Sequence, residues 1–499
     1  MSKNRKNIIA NYIGQGWSAF MAIAFLPAYI NYLGVEAYGV IGLFVAVQAI
    51  VLILDLGIGA TLNREMARSS SGAGKKTDIR NLLFSLEVIG FTLGAIGLAV
   101  VWLTSPYMTR DWLNSDGLEP DQIANALVFM WLVACLRLFE GMYRGILFGA
   151  GEQVWYNSIY SLVATLRYAG AMGVLMWLST TLQAFFIWQV VVSLLSLYLL
   201  AWRVNHCLPD TQTPKRFSLN FLADIKHFAT GMIGIGIATV LLLQLDKVIL
   251  SNLVPLKNLG YYTLASTAAN TMFMVVVPIT QALYPSLVAL STEQNQDNFI
   301  ALFRKITQAV VIMVATATML LAFFSGGVIF LWSGNHDLVN EAAPLLTILV
   351  IGSLFNCLSY LPFQLQTAFG ETKLLLKIYV SSVLLFCPLL YTCSFYYGVY
   401  GAAWTWLIIN LIHLMIVVAF THRVLVTTQR WSWYLTDALI PCIAAFLVML
   451  LFRQFQPFDY SERFQWFGFL VFAGITSLLF SIIVTPLFRQ SVLALLKRK

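Results

Sequence analysis

Long apolar runs broken by short polar turns cover nearly the whole chain. A helix of about 20 mostly apolar residues is needed to cross the ~30 Å hydrocarbon core of a bilayer. A window of about 19 residues places such spans at 8–33, 37–62, 80–104, 122–148, 154–178, 181–203, 225–252, 258–291, 302–331, 341–369, 373–397, 399–424, 434–453 and 464–487. The pattern predicts an all-α integral membrane protein with about 14 transmembrane helices, an even number that leaves both termini on one side. Spans longer than about 25 residues require tilt or kinks, for which Pro27, Pro278, Pro285, Pro362 and Pro388 are candidate positions. The opening "MSKNRKN" runs into an apolar stretch too long for a signal peptide, so it reads as a retained first span.

The polar turns differ in charge from one side to the other. Lys3, Arg5, Lys6, Arg64, Arg68, Lys75, Lys76, Arg80, Lys215, Arg216, Lys226, Arg304, Lys305, Lys373, Lys377, Arg423 and the closing Lys497, Arg498 and Lys499 share the side of the N-terminus. The opposite side holds only Arg110, Lys257, Arg453 and Arg463, and its first long loop is acidic through Asp111, Asp116, Glu119 and Asp121. Basic loops stay in the cytoplasm, so the expectation is a multi-pass protein with both termini cytoplasmic.

Composition agrees: 59% of residues are hydrophobic and 10% charged, against roughly 25% charged in soluble domains. The net charge of +8 is spread over short clusters rather than a basic domain, which argues against nucleic acid as a partner. Six cysteines fall mostly inside apolar segments without metal-ligand spacing and read as reduced, metal-free side chains. No Walker or dinucleotide motif occurs, and the short loops leave no room for a soluble catalytic domain. No catalytic residues and no cofactor are expected.

Three segments recur in order. "IGQG" at 13–16 returns as "IGIG" at 233–236, "VEAYG" at 35–39 as "LKNLG" at 256–260, and "FGAGEQVWYNSIY" at 148–160 as "TAFGETKLLLKIY" at 367–379. A nearly constant offset at matching turns points to duplication. Six helices separate the copies, so two six-helix lobes are expected, related by a pseudo-two-fold along the membrane normal. The domains are then an N-terminal lobe at 1–210, a C-terminal lobe at 211–430, and two extra C-terminal helices at 431–499.

"FLPAYINYLGVEAYGVIGLFVAVQAIVLILDLGIGATLNREMAR" (25–68) resembles the opening of the polysaccharide-biosynthesis flippases, the bacterial O-antigen and capsule unit exporters. "LLLQLDKVILSNLVPLKNLGYYTLASTAAN" (241–270) is similar to the start of their second half. The family lies in the multidrug/oligosaccharidyl-lipid/polysaccharide exporter superfamily, and the resemblance covers roughly residues 8–420. It implies alternating-access transfer of undecaprenyl-pyrophosphate-linked oligosaccharide from the inner to the outer leaflet of the bacterial inner membrane. The product would be O-antigen (lipopolysaccharide), capsule or exopolysaccharide, with a polysaccharide polymerase, a chain-length regulator and membrane lipids as partners. In a related lipid II flippase group, an extra helix pair carries a groove for the lipid tail, and 434–453 and 464–487 stand in that place.

Charges inside the spans are the candidate chemistry. Arg137, Glu140 and Arg144 fall within about 60° of one helical face at ~100° per residue. Arg137 and, in the next span, Arg167 lie near mid-membrane, where ionisable groups face a bundle interior or a water-filled cavity. Arginine's planar fork matches phosphate oxygens, so Arg137, Arg167 and Arg144 are candidate pyrophosphate contacts, with structural ion pairing as the rival reading. Glu140, Glu87, Asp55 and Asp246 are either sites for a coupling H+ or Na+, or counter-charges of neighbouring arginines.

Asn11, Gln15 and Ser18, then Thr263, Thr267 and Asn270, then Asn356, Tyr360 and Gln364 form polar stripes at helical spacing. They suit either sugar hydroxyls in a wet path or hydrogen bonds between helices. A cation-coupled multidrug antiporter of the same superfamily is the alternative function, although it would favour unpaired carboxylates over buried arginines. A glycan polymerase or ligase would need a long outer loop. A major-facilitator carrier would need a loop motif that "REMARSSSGAGKK" lacks.

Overall fold

The computed structural model describes residues 3–70, 76–208, 216–217, 220–277, 279–280, 296–368, 372–424, 433–457, 462–486 and 489. Every regular element among the described residues is helical, as a backbone without water to bond requires. Ten helical stretches there are long and apolar enough to cross a bilayer, and Leu376–Thr421 holds two of the predicted spans in one stretch. The predicted spans 37–62 and 225–252 are helical throughout, while 258–291 is described only as far as residue 280. By contact the chain divides into two compact units, Met1–Gly260 and Tyr261–Lys499.

The first unit opens with α1 (Lys3–Ala24) and α2 (Leu26–Leu33), which break at Phe25 just ahead of Pro27. Gly34, at φ 87°, turns the chain into α3 (Val35–Ser70), a conformation glycine adopts without a Cβ penalty. Next come α4 (Lys76–Tyr107), a π turn at Met108–Trp112, and α5 (Pro120–Gly149). Then α6 (Gln153–Thr165), a π turn at Leu166–Gly170 and α7 (Ala171–Trp177) make one continuous span. α8 (Leu182–Cys207) is capped by Thr181, and α9 (Asn220–Leu253) and the start of α10 (Leu256–Asn270) complete the unit.

α5 is the central helix, packed on α3, α4 and α8. Gly145 and Gly149 form a small-residue ridge that brings it against the backbone of α3. A Cβ on Gly145 would lie 2.4 Å from the Gly59 carbonyl oxygen, and one on Gly149 2.5 Å from that of Asn63. Small residues four apart permit such close helix crossings in membranes.

A second close approach joins the repeat-related segments 35–39 and 256–260. A Cβ on Gly39 would lie 2.3 Å from the Leu256 carbonyl oxygen, and one on Gly260 2.2 Å from that of Val35. The contact is reciprocal, as a local two-fold requires.

In the second unit, α11 (Gln296–Phe323), α12 (Ser325–Ser333) and α13 (His336–Ala368) precede α14 (Thr372–Val424). Gly398 breaks α14 at φ 56°, between the predicted spans 373–397 and 399–424. Pro362 and Pro388 lie within helices that continue past them, and Pro278 and Pro285 lie outside the described residues. A π turn at Trp433–Leu439 leads into α15 (Ile440–Phe452), followed by α16 (Arg463–Val484).

The last two helices pack on α11. Fully buried Asp437 fastens them there: Arg304 donates Nε to Oδ2 at 2.8 Å and Nη2 to Oδ1 at 2.9 Å. Gln308 adds a bond at 2.6 Å, and Trp433 donates to Thr307 at 3.3 Å.

Candidate functional site

The charges of α5 reach three different environments. Arg137 is half-buried against α3, where its Nη1 donates to the Gln48 side-chain oxygen and its guanidinium stands 5.6 Å from the Phe44 ring centroid. No carboxylate pairs with it among the described residues. Arg137 and Gln48 line a cavity of about 270 Å³ whose other walls are Val45, Ala49, Val51, Ala134 and Leu138. The Arg137 Nε and the Gln48 Nε2 are buried without a hydrogen-bond partner.

Arg167, by contrast, is tied down. It sits in the π turn after α6 and is 7% exposed. Its Nη2 reaches Glu140 Oε1 at 3.4 Å and Ser193 Oγ at 3.2 Å. A π turn shifts backbone carbonyls out of the helical ladder, and α8 meets two of them. Trp188 donates to the Leu166 carbonyl at 2.8 Å and Gln189 to that of Arg167 at 3.2 Å. Glu140 is therefore paired with an arginine on the neighbouring helix. Arg144, the third basic group of the α5 face, hydrogen-bonds Tyr156.

The remaining acids are also engaged. Glu87 accepts a bond from the Tyr143 hydroxyl at 2.8 Å. Asp246 and Lys247 are buried together, 3.5 Å apart. The Asp55 side chain lies outside the described residues. No group of His, Cys, Asp and Glu among the described residues has the geometry of a metal site.

The polar stripes sort differently. Asn11 donates to Gln153 at 3.0 Å and accepts from Asn157 at 2.5 Å, and Ser18 donates to Tyr160 at 3.2 Å, so two of the three α1 residues bond to α6. Gln15 and Asn270 are exposed. Asn356 donates to Asn410, and Gln364 hydrogen-bonds Tyr360.

Two features were not singled out from the sequence. Gln48 is the one amide in the apolar run 40–54, and that isolation was its only signal. The second is a largely apolar cavity of about 690 Å³ beside α11, α13, α14 and α15, lined by Met319, Leu354, Met415, Cys442 and Phe446 and also by Arg453.

The model of the polysaccharide biosynthesis protein family matches residues 5–291. A provisionally named O-antigen transporter of Shigella flexneri is 23% identical over 406 residues, covering 80% of this chain and 93% of the relative. Among solved structures, the lipid II flippase MurJ in an inward closed conformation superposes with a TM-score of 0.73 at 13% identity, over 97% of this chain and 99% of that one. An inward-facing multidrug resistance transporter of the MATE family, in the MOP superfamily, superposes with a TM-score of 0.65 at 15% identity, over 81% and 94%. At these identities the structural likenesses show the fold.

Proposed function

Because the chain belongs to the polysaccharide biosynthesis protein family, we propose that it is a flippase for polyprenyl-pyrophosphate-linked oligosaccharide. It carries these units from the cytoplasmic to the periplasmic leaflet of a bacterial inner membrane by alternating access, with both termini cytoplasmic. It works as a transporter rather than an enzyme, upstream of the polymerase and chain-length regulator that build O-antigen, capsule or exopolysaccharide. The relative named for O-antigen transport supports this reading.

The observation that carries the proposal is Arg137. A guanidinium within a membrane span is costly unless it faces partners or water. This one lines a cavity and is held by a neutral amide. A pyrophosphate is the ligand whose oxygens fit its planar fork. H+ or Na+ coupling would use Glu87, whose carboxylate accepts a bond from the neutral Tyr143 hydroxyl. The multidrug reading has no comparable support, since the charged group left open at the cavity is basic.

Arg137→Ala should abolish surface glycan in a strain lacking the chromosomal copy, while the membrane level of the protein stays normal. Full complementation by the alanine variant, at normal level, would refute the cationic site.

A further inference from the structure

The cavity beside Arg137 holds a second, unused donor. Arginine has no acceptor atom, so the Gln48 atom that meets Arg137 Nη1 must be the carbonyl Oε1. That contact fixes the amide and turns its NH2 group elsewhere. The Nε2 so placed is buried and meets no acceptor. The Nε of Arg137 is in the same condition, and both side chains line the same cavity of about 270 Å³.

Leaving a buried donor unsatisfied costs about 1–3 kcal/mol. Buried polar atoms without partners are uncommon, and two on one small cavity ask for an acceptor. The other lining residues cannot supply it, since Val45, Ala49, Val51, Ala134 and Leu138 have apolar side chains. No lining side chain supplies that acceptor, and a ligand entering the cavity can.

Charge narrows its identity. Glu140 forms its ion pair with Arg167 at 3.4 Å, and no carboxylate among the described residues forms one with Arg137. A carboxamide at position 48 holds that cation without neutralising it, whereas a carboxylate there would close the pair.

Resting on the flippase reading above, we propose that Gln48 is a substrate-binding residue. Its NH2 group and the Arg137 guanidinium together receive the phosphoryl oxygens of the lipid pyrophosphate. Gln48 thus orients Arg137 through its oxygen and donates to substrate through its nitrogen.

The test uses the full-length protein in nanodiscs, with farnesyl pyrophosphate as the probe and farnesol as the uncharged control. Binding is measured for the unmodified protein, Arg137→Ala, Gln48→Met and Gln48→Glu. Gln48→Met keeps the length and removes both polar atoms. It should weaken farnesyl pyrophosphate about tenfold, the equivalent of one lost hydrogen bond to a charged group. Gln48→Glu changes one atom and adds a carboxylate beside Arg137. It should lose pyrophosphate binding more completely while melting at or above the unmodified protein.

If Gln48→Met binds the probe as tightly as the unmodified protein does, Gln48 is no donor and the inference falls, whatever Gln48→Glu does. In that case the flippase reading stands on Arg137. If the unmodified protein itself binds farnesyl pyrophosphate no better than farnesol, the pyrophosphate reading of the whole site fails, and this inference with it.

Discussion

Asp437→Ala tests how the last two helices are held. The carboxylate is fully buried and accepts two bonds from Arg304, at 2.8 and 2.9 Å, and one from Gln308 at 2.6 Å. Removing one partner of a buried ion pair costs about 3–5 kcal/mol, because the other charge stays behind. The Arg304 side chain is 26% exposed and can partly rehydrate, so a loss of about 2–4 kcal/mol is expected here.

At 1.4 kcal/mol per tenfold, local opening of this junction should rise by about 30- to several-hundred-fold. Cys442 follows one turn after the clamp and lines the apolar cavity, which makes it a local reporter. In a variant retaining only that cysteine, maleimide labelling in nanodiscs should accelerate by the same factor. The double variant Asp437→Leu with Arg304→Met should restore slow labelling, since apolar replacement of a buried pair is often neutral. Unchanged labelling in Asp437→Ala would show that apolar packing of α15 and α16, and not the clamp, seats this pair.

The reciprocal contact at 35–39 and 256–260 leaves no room for a side chain, and overpacking costs about 1–3 kcal/mol. Gly39→Ala and Gly260→Ala should each reduce glycan export at normal protein level, as read by surface glycan in complementation. Full export by both would mean that the close approach is dispensable. Glu140→Gln leaves Arg167 buried and uncancelled, so it should lower the detergent melting temperature, and adding Arg167→Gln should recover most of the loss. A melting temperature unmoved by Glu140→Gln would show that the 3.4 Å pair contributes nothing to stability.

Much of the architecture was legible because membrane helices declare themselves by length and hydropathy. "VEAYG" and "LKNLG" match as strings, and the same two segments touch reciprocally through Gly39 and Gly260. Periodicity correctly grouped Arg137, Glu140 and Arg144 on α5, but it is blind to neighbouring helices. A local Arg137–Glu140 pair was as plausible in the sequence as the observed bond to Glu140 from Arg167, 27 residues away. The stripe Asn11–Ser18 likewise read equally well as a wet path or as glue, and only its bonds to α6 distinguish them. Asp437 and Arg304 lie 133 positions apart, so no local pattern could join them.

The sharpest information lies in how each arginine is partnered. Arg167 and Arg304 both meet a carboxylate, the solution expected of a charge retained for structure. Arg137, in the same helix as Glu140 and one turn away, meets an amide and an aromatic face instead. Its repeat-related position, Asn356, is neutral and also bonds an amide, that of Asn410. Both positions are thus bonded to an amide of a neighbouring segment, and only Arg137 carries a charged group. Under the proposed flippase function, a basic group steadied by a neutral amide suits one anionic headgroup.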